Sequence, residues 1–88
     1  HPIRFLILKI LAGDPSVDFR ELRRDLANIK SANLASHLRA LEKEKYVEFQ
    51  KRIEGRKALT GYSLTKKGLD EYDKLRSALQ EWVTPGEQ

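Results

Sequence analysis

Cysteine is absent from the 88-residue chain, and its absence removes disulfides, thiolate zinc sites and cysteine nucleophiles together. The two histidines, His1 and His37, are too few and too far apart in sequence to build an imidazole metal site. No EF-hand pattern is present, although magnesium or calcium sites made of carboxylates alone stay open. We therefore expect no resident metal and no other cofactor.

Long hydrophobic runs are also missing. No stretch of 18 or more apolar residues occurs, so no membrane-spanning helix is predicted. The apolar segment 3–12 is not followed by a cleavage site of small residues, so no signal peptide is predicted. With 40% hydrophobic and 34% charged residues, the composition is that of one small soluble domain, for which we expect a cytoplasmic location. Domains of this size often gain stability from burial between subunits.

The net charge of +4 conceals an uneven distribution. Residues 1–67 contain 15 Lys and Arg against 8 Asp and Glu, a net charge of +7, whereas residues 68–88 contain 2 against 5, a net charge of −3. A basic body of this kind indicates a polyanionic partner. The acidic C-terminal segment indicates a different role for that part of the chain.

The spacing of apolar residues predicts four helices and a hairpin. A 3.6-residue period predicts helices over 1–12, 19–27, 31–45 and 66–83, and a two-residue alternation predicts half-buried strands over 46–53 and 58–64 around a turn at 54–57. Two helices joined by a tight turn and followed by a β-hairpin form a winged helix-turn-helix. The predicted fold is therefore mainly α with a β-hairpin wing (α+β), a three-helix core plus a C-terminal helix. It spans residues 1–83, with a frayed tail at 84–88.

Local signals mark the ends and faces of these elements. Asp18 and Glu21 have the spacing of a capping box, and Ser31 and Thr65 are the expected caps of the third and last helices. Gly61 interrupts the second strand and indicates a bulge. The first helix has a stripe expected to face the core and a second apolar line left over. The stripe is Ile3, Leu6, Ile7, Ile10 and Leu11, and the second line is Phe5, Leu8 and Ala12.

The third helix has one apolar side and one side of small, polar and cationic residues. Leu34, Leu38 and Leu41 share the apolar side. The opposite side carries Ala32, Asn33, Ser36, Arg39, Ala40 and Lys43. Small residues allow close approach to another surface, asparagine can pair with adenine, and serine can reach bases or phosphates. The alternative is an ordinary solvated face, which would be richer in Glu and Lys throughout.

The hairpin turn adds positive charge after this helix. Its sequence KRIEGRK has four cationic residues against one acidic residue: Lys51, Arg52, Arg56 and Lys57 against Glu54. Charges on a hairpin tip suit phosphate contacts, although such tips are often charged for solubility alone. Following a helix of the kind just described, the tip favours a nucleic-acid-binding surface.

The run LASHLRAL (34–41) followed by YV (46–47) resembles the recognition helix and next strand of ArsR- and MarR-type winged-helix transcriptional regulators. The opening HPIRFLIL and the junction YSLTKKG are similar to that group too, so the resemblance covers nearly the whole chain. It implies sequence-specific binding of double-stranded DNA, with the helix 31–45 in the major groove and the wing 54–57 on phosphate or the minor groove. The expected DNA-contacting residues are Ser31, Asn33, Ser36, His37, Arg39, Lys43, Arg52, Arg56 and Lys57.

Three qualifications apply to this resemblance. His37 lies between the two faces of its helix, so a phosphate contact and a packing role both stay open. Metal-sensing ArsR relatives use cysteine or clusters of histidine and carboxylate, and this chain has neither, so metal sensing is not expected. The chain also leaves little room for the ligand pocket of the larger MarR relatives.

The last helix carries a narrow apolar seam whose residues are spaced by 3, 4 and 3 positions: Tyr72, Leu75, Leu79 and Trp82. We expect it to join two copies into a homodimer with help from the first helix; the alternative is that it only covers the domain's own core. The expected interface residues are Phe5, Leu8, Tyr72, Leu75, Leu79 and Trp82.

Three other functions compete with DNA regulation. Catalysis is the least favoured, because Ser36 and His37 are helical neighbours about 100° apart and no G-x-S-x-G elbow or paired-carboxylate arrangement occurs. A winged helix used for protein interaction is the main alternative, and it predicts apolar or acidic residues on the exposed helix face. Binding of RNA or non-B DNA by the same fold would be favoured by an exposed aromatic residue near that helix, but Trp82 is distant in sequence and Tyr46 begins a strand.

Overall fold

The computed structural model describes the backbone of residues 1–83 and the side chains of residues 1–80. Seven elements follow one another: α1 (Pro2–Ala12), β1 (Val17–Asp18), α2 (Phe19–Asp25), α3 (Ser31–Lys43), β2 (Val47–Glu54), β3 (Lys57–Leu64) and α4 (Lys66–Val83). This arrangement is a winged helix and confirms the predicted α+β class. The predicted frayed tail lies outside the described residues.

The sheet has three antiparallel strands in the order β1-β3-β2, one more than the predicted hairpin. Val17 lies opposite Tyr62, and Asp18 lies opposite Gly61. The pairing of β2 with β3 continues through Gly61 without interruption, so the predicted bulge is wrong. The missing side chain leaves room for Ser16: a Cβ at Gly61 would lie 2.7 Å from the Oγ of Ser16, just before β1, and that hydroxyl would have to turn away.

The core lies where α1, α2, α3 and the base of the sheet meet. Its buried side chains are Ile7, Leu8, Leu11, Val17, Leu22, Leu34, Leu38, Leu41 and Val47. The predicted faces of α1 need correction, because Leu8 is buried whereas Leu6 is 40% exposed. The apolar pattern of α1 is broad enough for either line, and packing against α3 and α4 determines which one is covered.

The hairpin projects away from this core, and the predicted half-burial of β2 is wrong. Val47 at its start is buried, but Phe49 is 47% exposed and Ile53 is 81% exposed. The alternation of apolar residues is real, yet the sheet extends further than the helices that could cover it.

The helix starts are fixed mainly by side-chain caps. The capping box of α2 is confirmed, because an Oδ1 of Asp18 accepts from the Glu21 amide at 2.8 Å and an Oε1 of Glu21 accepts from the Asp18 amide at 3.1 Å. For α3 the predicted cap is wrong: Ser31 is its first residue, and the capping position belongs to Lys30, which makes no side-chain cap hydrogen bond. The Ser31 side chain is exposed instead.

The start of α4 is fastened to the end of α3. Thr65 caps α4 as predicted, since its Oγ1 accepts from the Gly68 amide at 3.0 Å, and its hydroxyl donates to the Lys45 carbonyl at 2.6 Å. Gly68 is buried, and a Cβ at this position would overlap the carbonyl oxygen of Tyr46. Only glycine lets α4 lie this close to the α3–β2 junction.

Two negative findings apply within residues 1–83. No helix in that range is both long and apolar enough to cross a membrane. Among the described side chains, those of residues 1–80, no group of three or more His, Cys, Asp or Glu is placed to hold a metal ion.

Candidate nucleic-acid interface

The turn between α2 and α3 is fixed by two left-handed residues, Ala27 (φ 60°) and Asn28 (φ 58°). The Asn28 amide donates to the Arg23 carbonyl at 2.7 Å and the Ala27 amide donates to the Arg24 carbonyl at 3.2 Å, which is the Schellman pattern of a helix end. The Arg23 Nε then donates to the Ile29 carbonyl at 3.0 Å. These bonds end α2 two residues before the predicted Ala27 and set the direction in which α3 begins.

Helix α3 turns its leucines inward and its polar side outward, as predicted. Leu34, Leu38 and Leu41 are buried in the core. The predicted DNA-contacting residues on the helix are exposed apart from His37, which is half-buried; the exposed ones are Ser31, Asn33, Ser36, Arg39 and Lys43. The structure thus presents hydrogen-bonding side chains on the first turns and cations further along one continuous helix face.

The C-terminal end of α3 repeats the device that ends α2. Lys45 has φ 67°, its amide donates to the Glu42 carbonyl at 2.9 Å, and the Tyr46 amide donates to the Leu41 carbonyl at 3.0 Å. The helix therefore ends at Lys43 rather than at the predicted Lys45, and the chain turns directly into β2.

His37 connects α3 with the start of α1. Its Nδ1 accepts a hydrogen bond from the Nε of Arg4 at 3.2 Å, and its ring centroid lies 4.6 Å from that of His1. Burial lowers the pKa of His37 below its usual value of 6.5, and the positive charge of Arg4 lowers it further. Of the two roles left open by the sequence, the structure shows a packing contact. Arg4, which sequence reasoning did not place at this surface, lies beside it.

The wing tip is a tight turn at Gly55 and Arg56, flanked by the pair Glu54 and Lys57. Gly55 has φ 64°, a conformation that favours glycine, and no other atom lies within 4 Å of where its Cβ would be. The predicted contacts Arg56 and Lys57 are both exposed here. Arg52 is exposed too, but its guanidinium lies across Gly61, 3.6 to 3.7 Å from the position of a Cβ there.

The two faces of the wing differ in their relation to α3. Strand alternation places Phe49, Lys51 and Ile53 on the face that begins at the buried Val47, and Arg52 on the other. Tyr62 shares the first face. Burial raises its pKa above 10.0, the Glu42 carboxylate of α3 raises it further, and Arg39 of α3 opposes this.

The face that begins at Val47 is therefore the α3 side of the wing. Lys51 belongs to it and is exposed, so it is a candidate that the predicted set omitted. The two-residue alternation of Val47, Phe49 and Ile53 was the signal that could have found it, because Lys51 lies midway between Phe49 and Ile53 in the same alternation.

The cations of α3 and the wing are not neutralised by neighbouring carboxylates. Within the described side chains, the ion pair that forms is between Arg76 and Asp73 of α4, at 3.7 Å. Uncompensated positive charge therefore surrounds the exposed face of α3, and this favours a polyanionic partner.

An apolar groove of about 680 Å³ lies between α1 and α4, and the C-terminal part of α3 and Tyr46 also line it. Its walls include Phe5, Leu6, Leu75 and Leu79, and the buried Leu8 contributes to its lining. Leu79 is 50% exposed and Leu75 36% exposed. The predicted dimer interface is thus partly exposed. Two of its predicted residues are already covered within the domain: Leu8 belongs to the core, and Tyr72 stacks on Phe5 with ring centroids 5.6 Å apart. Trp82 lies outside the described side chains.

The fold and this surface together define a nucleic-acid-binding winged helix, and comparison with known families agrees. The winged helix DNA-binding domain family matches residues 3–83, so the chain belongs to that family. No curated protein sequence matches the chain.

Solved structures of transcriptional regulators share the fold. The transcriptional regulator homologue from Pyrococcus horikoshii OT3 is similar over 94% of this chain and 81% of its own, with a TM-score of 0.85 and 28% identity. The reduced form of the regulator YodB from B. subtilis is similar over 92% of this chain and 76% of its own, with a TM-score of 0.77 and 27% identity. Bacillus subtilis PadR, solved in complex with operator DNA, is similar over 85% of this chain but 46% of its own, with a TM-score of 0.76. At 19% identity that last likeness shows the fold alone.

Proposed function

We propose that this chain is the DNA-binding domain of a transcriptional regulator and that it recognises a specific sequence in double-stranded DNA. The observation that carries the proposal is the exposed face of α3, which combines hydrogen-bonding and cationic side chains and has uncompensated cations beside it on the wing. Membership of the winged helix DNA-binding family and the likeness to two solved transcriptional regulators at 28% and 27% identity support it.

In this proposal α3 enters the major groove and reads base edges. Asn33 and Ser36 on its first turns supply the hydrogen bonds that distinguish bases, and Arg39 and Lys43 hold phosphates as the helix leaves the groove. At the wing, Arg56 and Lys57 hold the backbone of the flanking duplex. His37 acts through its contact with Arg4, by keeping α3 against α1.

We further propose that the working form is a homodimer joined through the groove between α1 and α4. The exposed Leu6, Leu75 and Leu79 support this, because together they leave apolar surface uncovered on one side of the domain. A two-fold dimer would place its α3 helices about 34 Å apart and favour a palindrome with half-sites about ten base pairs apart. The proposed interface omits Leu8, which the core already covers.

The finer placement of the chain is also a proposal. The runs LASHLRAL and YSLTKKG support an ArsR- or MarR-like regulator, whereas the similar solved structures include a PadR-like regulator from Bacillus cereus. We assign the domain to the cytoplasm, where a regulator meets its DNA, and assign it no catalytic role. The alternative of a pure protein-interaction module is disfavoured by the Asn, Ser, Arg and Lys residues on the exposed α3 face.

A titration of labelled duplex at several salt concentrations tests the DNA proposal. Four to six phosphate contacts should give a slope of log K against log salt concentration of roughly −4 to −5 per monomer. Absence of binding at low salt, or binding that is indifferent to salt, would contradict it. Selection of duplexes from a random pool then identifies the preferred sequence.

A further inference from the structure

Ile53 stands out on the wing because it is the most exposed large hydrophobic side chain in the described part of the chain, at 81%. Its cross-strand neighbour, Ala58, is too small to cover it. Single exposed apolar residues are ordinary on protein surfaces. The surroundings of this one make it informative.

The immediate neighbourhood of Ile53 is strongly positive. Residues 51–57 contain four cations against Glu54, a net charge of +3, and none of these side chains takes part in the ion pair that the described residues form. Two wings brought together would repel each other, so a second copy of the chain is a poor occupant of this surface. A polyanion with apolar surface between its charges fits it, and duplex DNA has that chemistry, because its grooves expose sugar carbons and base edges between two rows of phosphates.

The side chain of Ile53 lies on the same side of the sheet as α3. It alternates with Lys51 and Phe49 along β2, on the face that begins at the buried Val47 and includes Tyr62 next to α3. A duplex bound to the exposed face of α3 would therefore be approached by this face of the wing.

The reach of the strand matches the spacing of the DNA grooves. From Phe49, whose cross-strand partner Tyr62 interacts with the charges of Glu42 and Arg39 on α3, to Ile53 is four residues, or about 14 Å. Half a helical turn of DNA, which separates the major groove from the next minor groove, is about 17 Å. The minor groove is about 6 Å wide and too narrow for a two-stranded ribbon, so only side chains at the tip can enter it. Gly55 has no side chain, and strand alternation places Glu54 and Lys57 on the opposite face, which leaves Ile53 and Arg56.

We propose that Ile53 is a specificity-determining residue that enters the minor groove beside the site read by α3 and packs on deoxyribose and the groove floor. The proposal deepens the function above and rests on it. The contact is apolar, so it contributes affinity that does not depend on salt. It also disfavours G·C pairs under the wing, because guanine places an amino group on the floor of the minor groove.

The test compares Ile53→Thr with Leu59→Thr on a duplex selected by the wild-type protein from a random pool. Both changes lie in the outer hairpin, on opposite faces, and threonine suits a strand at either position. We expect Ile53→Thr to weaken binding about fivefold with an unchanged salt slope, and Leu59→Thr to bind as the wild type does. Replacing adenine by 2,6-diaminopurine under the wing adds a minor-groove amino group. It should weaken the wild type and have little effect on Ile53→Thr.

The possible results separate this proposal from the one on which it rests. A wild-type protein that binds no duplex at low salt overturns the DNA-binding function itself. Binding by the wild type with no loss in Ile53→Thr, or an equal loss in Leu59→Thr, overturns the role of Ile53 alone. So does a change in sedimentation of Ile53→Thr, which would assign the surface to self-association. Circular dichroism melts of both variants establish that they are folded.

Discussion

Two surfaces of the domain have opposite chemical character. The α3 and wing side is exposed, polar and positively charged, with its cations unpaired in the described structure. The α1 and α4 side has an apolar groove, and the segment that begins at residue 68 is net negative. The first surface suits a hydrated polyanion, and the second suits desolvation by another apolar surface. The contrast shows that an 88-residue chain has room for two interfaces if each uses only the outer faces of elements whose inner faces share one core.

The contact between α4 and the α3–β2 junction should give the largest effect on stability. Gly68→Ala places a methyl group against the Tyr46 carbonyl, so α4 has to move away from the α3–β2 junction. We expect a loss of about 3 kcal/mol in the free energy of unfolding, measured by urea denaturation. Gly13→Ala is the matched control, because a Cβ there meets its nearest neighbour at an ordinary 3.8 Å. Equal stability of the two variants would show that α4 is not held where the structure places it.

Leu79→Glu tests whether the apolar side is an interface. A glutamate in a buried seam costs several kcal/mol, so sedimentation should show folded monomers. Loss of the second DNA contact should then weaken binding to a palindromic site about 100-fold. Ser77→Glu adds the same charge to the same helix on an exposed position outside the groove and should leave the dimer intact. A wild-type protein that is monomeric at micromolar concentration and still binds its operator tightly would refute the dimer.

On the polar and positively charged surface, substitutions in α3 should change which DNA sequences are preferred, and substitutions in the wing should change the overall affinity. Asn33→Ala should change which duplexes are preferred, by about 1–3 kcal/mol at the affected base pair. The double variant Arg56→Ala, Lys57→Ala should weaken all duplexes about equally and make the salt dependence shallower by about two phosphate contacts. Competition among selected duplexes measures both effects. A changed preference in the wing variant with none in Asn33→Ala would mean that the two surfaces are assigned the wrong way round.

Substitutions at the C-terminal ends of α2 and α3 should have a smaller effect on stability, and one of opposite sign. Ala27 at the end of α2 and Lys45 at the end of α3 have left-handed backbones, which glycine adopts without a steric penalty. We expect Ala27→Gly and Lys45→Gly each to raise the free energy of unfolding by about 0.5 kcal/mol, net of the greater freedom of glycine in the unfolded chain. Gly55→Ala, with the same sign of φ, should lower it. Thermal melts of the three variants check the signs.

The smallest expected effect concerns His37. Because its pKa in the folded protein is below 6.5, the unfolded chain binds the proton more readily, and stability should fall as the pH drops through 6.5. Arg4→Gln removes one of the causes and should raise the His37 pKa, while burial keeps it below the usual value. An NMR titration of the imidazole protons measures this directly. An unchanged pKa in Arg4→Gln would exclude the contact in solution.

Elements defined by neighbours in sequence were predicted well. The capping box of Asp18 and Glu21, the cap at Thr65 and the span of α4 depend on contacts within about one helical turn, so the sequence contains them. The outward face of α3 was also predictable, because three leucines at helical spacing leave one orientation in which the core is closed.

The errors arise where distant segments decide the outcome. β1 is two residues long and exists because β3 lies beside it, so no local pattern predicts it. Leu8 rather than Leu6 is buried because of where α3 and α4 pack on α1, and Gly68 is required by the carbonyl of Tyr46, which is 22 positions earlier. Which face of the wing lies toward α3, and so whether Lys51 or Arg52 belongs to that side, likewise depends on segments distant in sequence.

The short pairing of β1 with β3 divides the wing into two mechanical parts. Asp18 links the sheet to the helix-turn-helix unit, because its backbone pairs with Gly61 of β3 and its side chain caps α2. The inner wing, where β3 is paired with β1 on one edge and β2 on the other, is thereby connected to the helix-turn-helix unit. In the outer wing, residues 51–60, β3 pairs with β2 and not with β1, and no large side chain is buried. Adjustment of the domain to the width or curvature of a particular duplex therefore falls on the outer wing, and the position of α3 is preserved while it occurs.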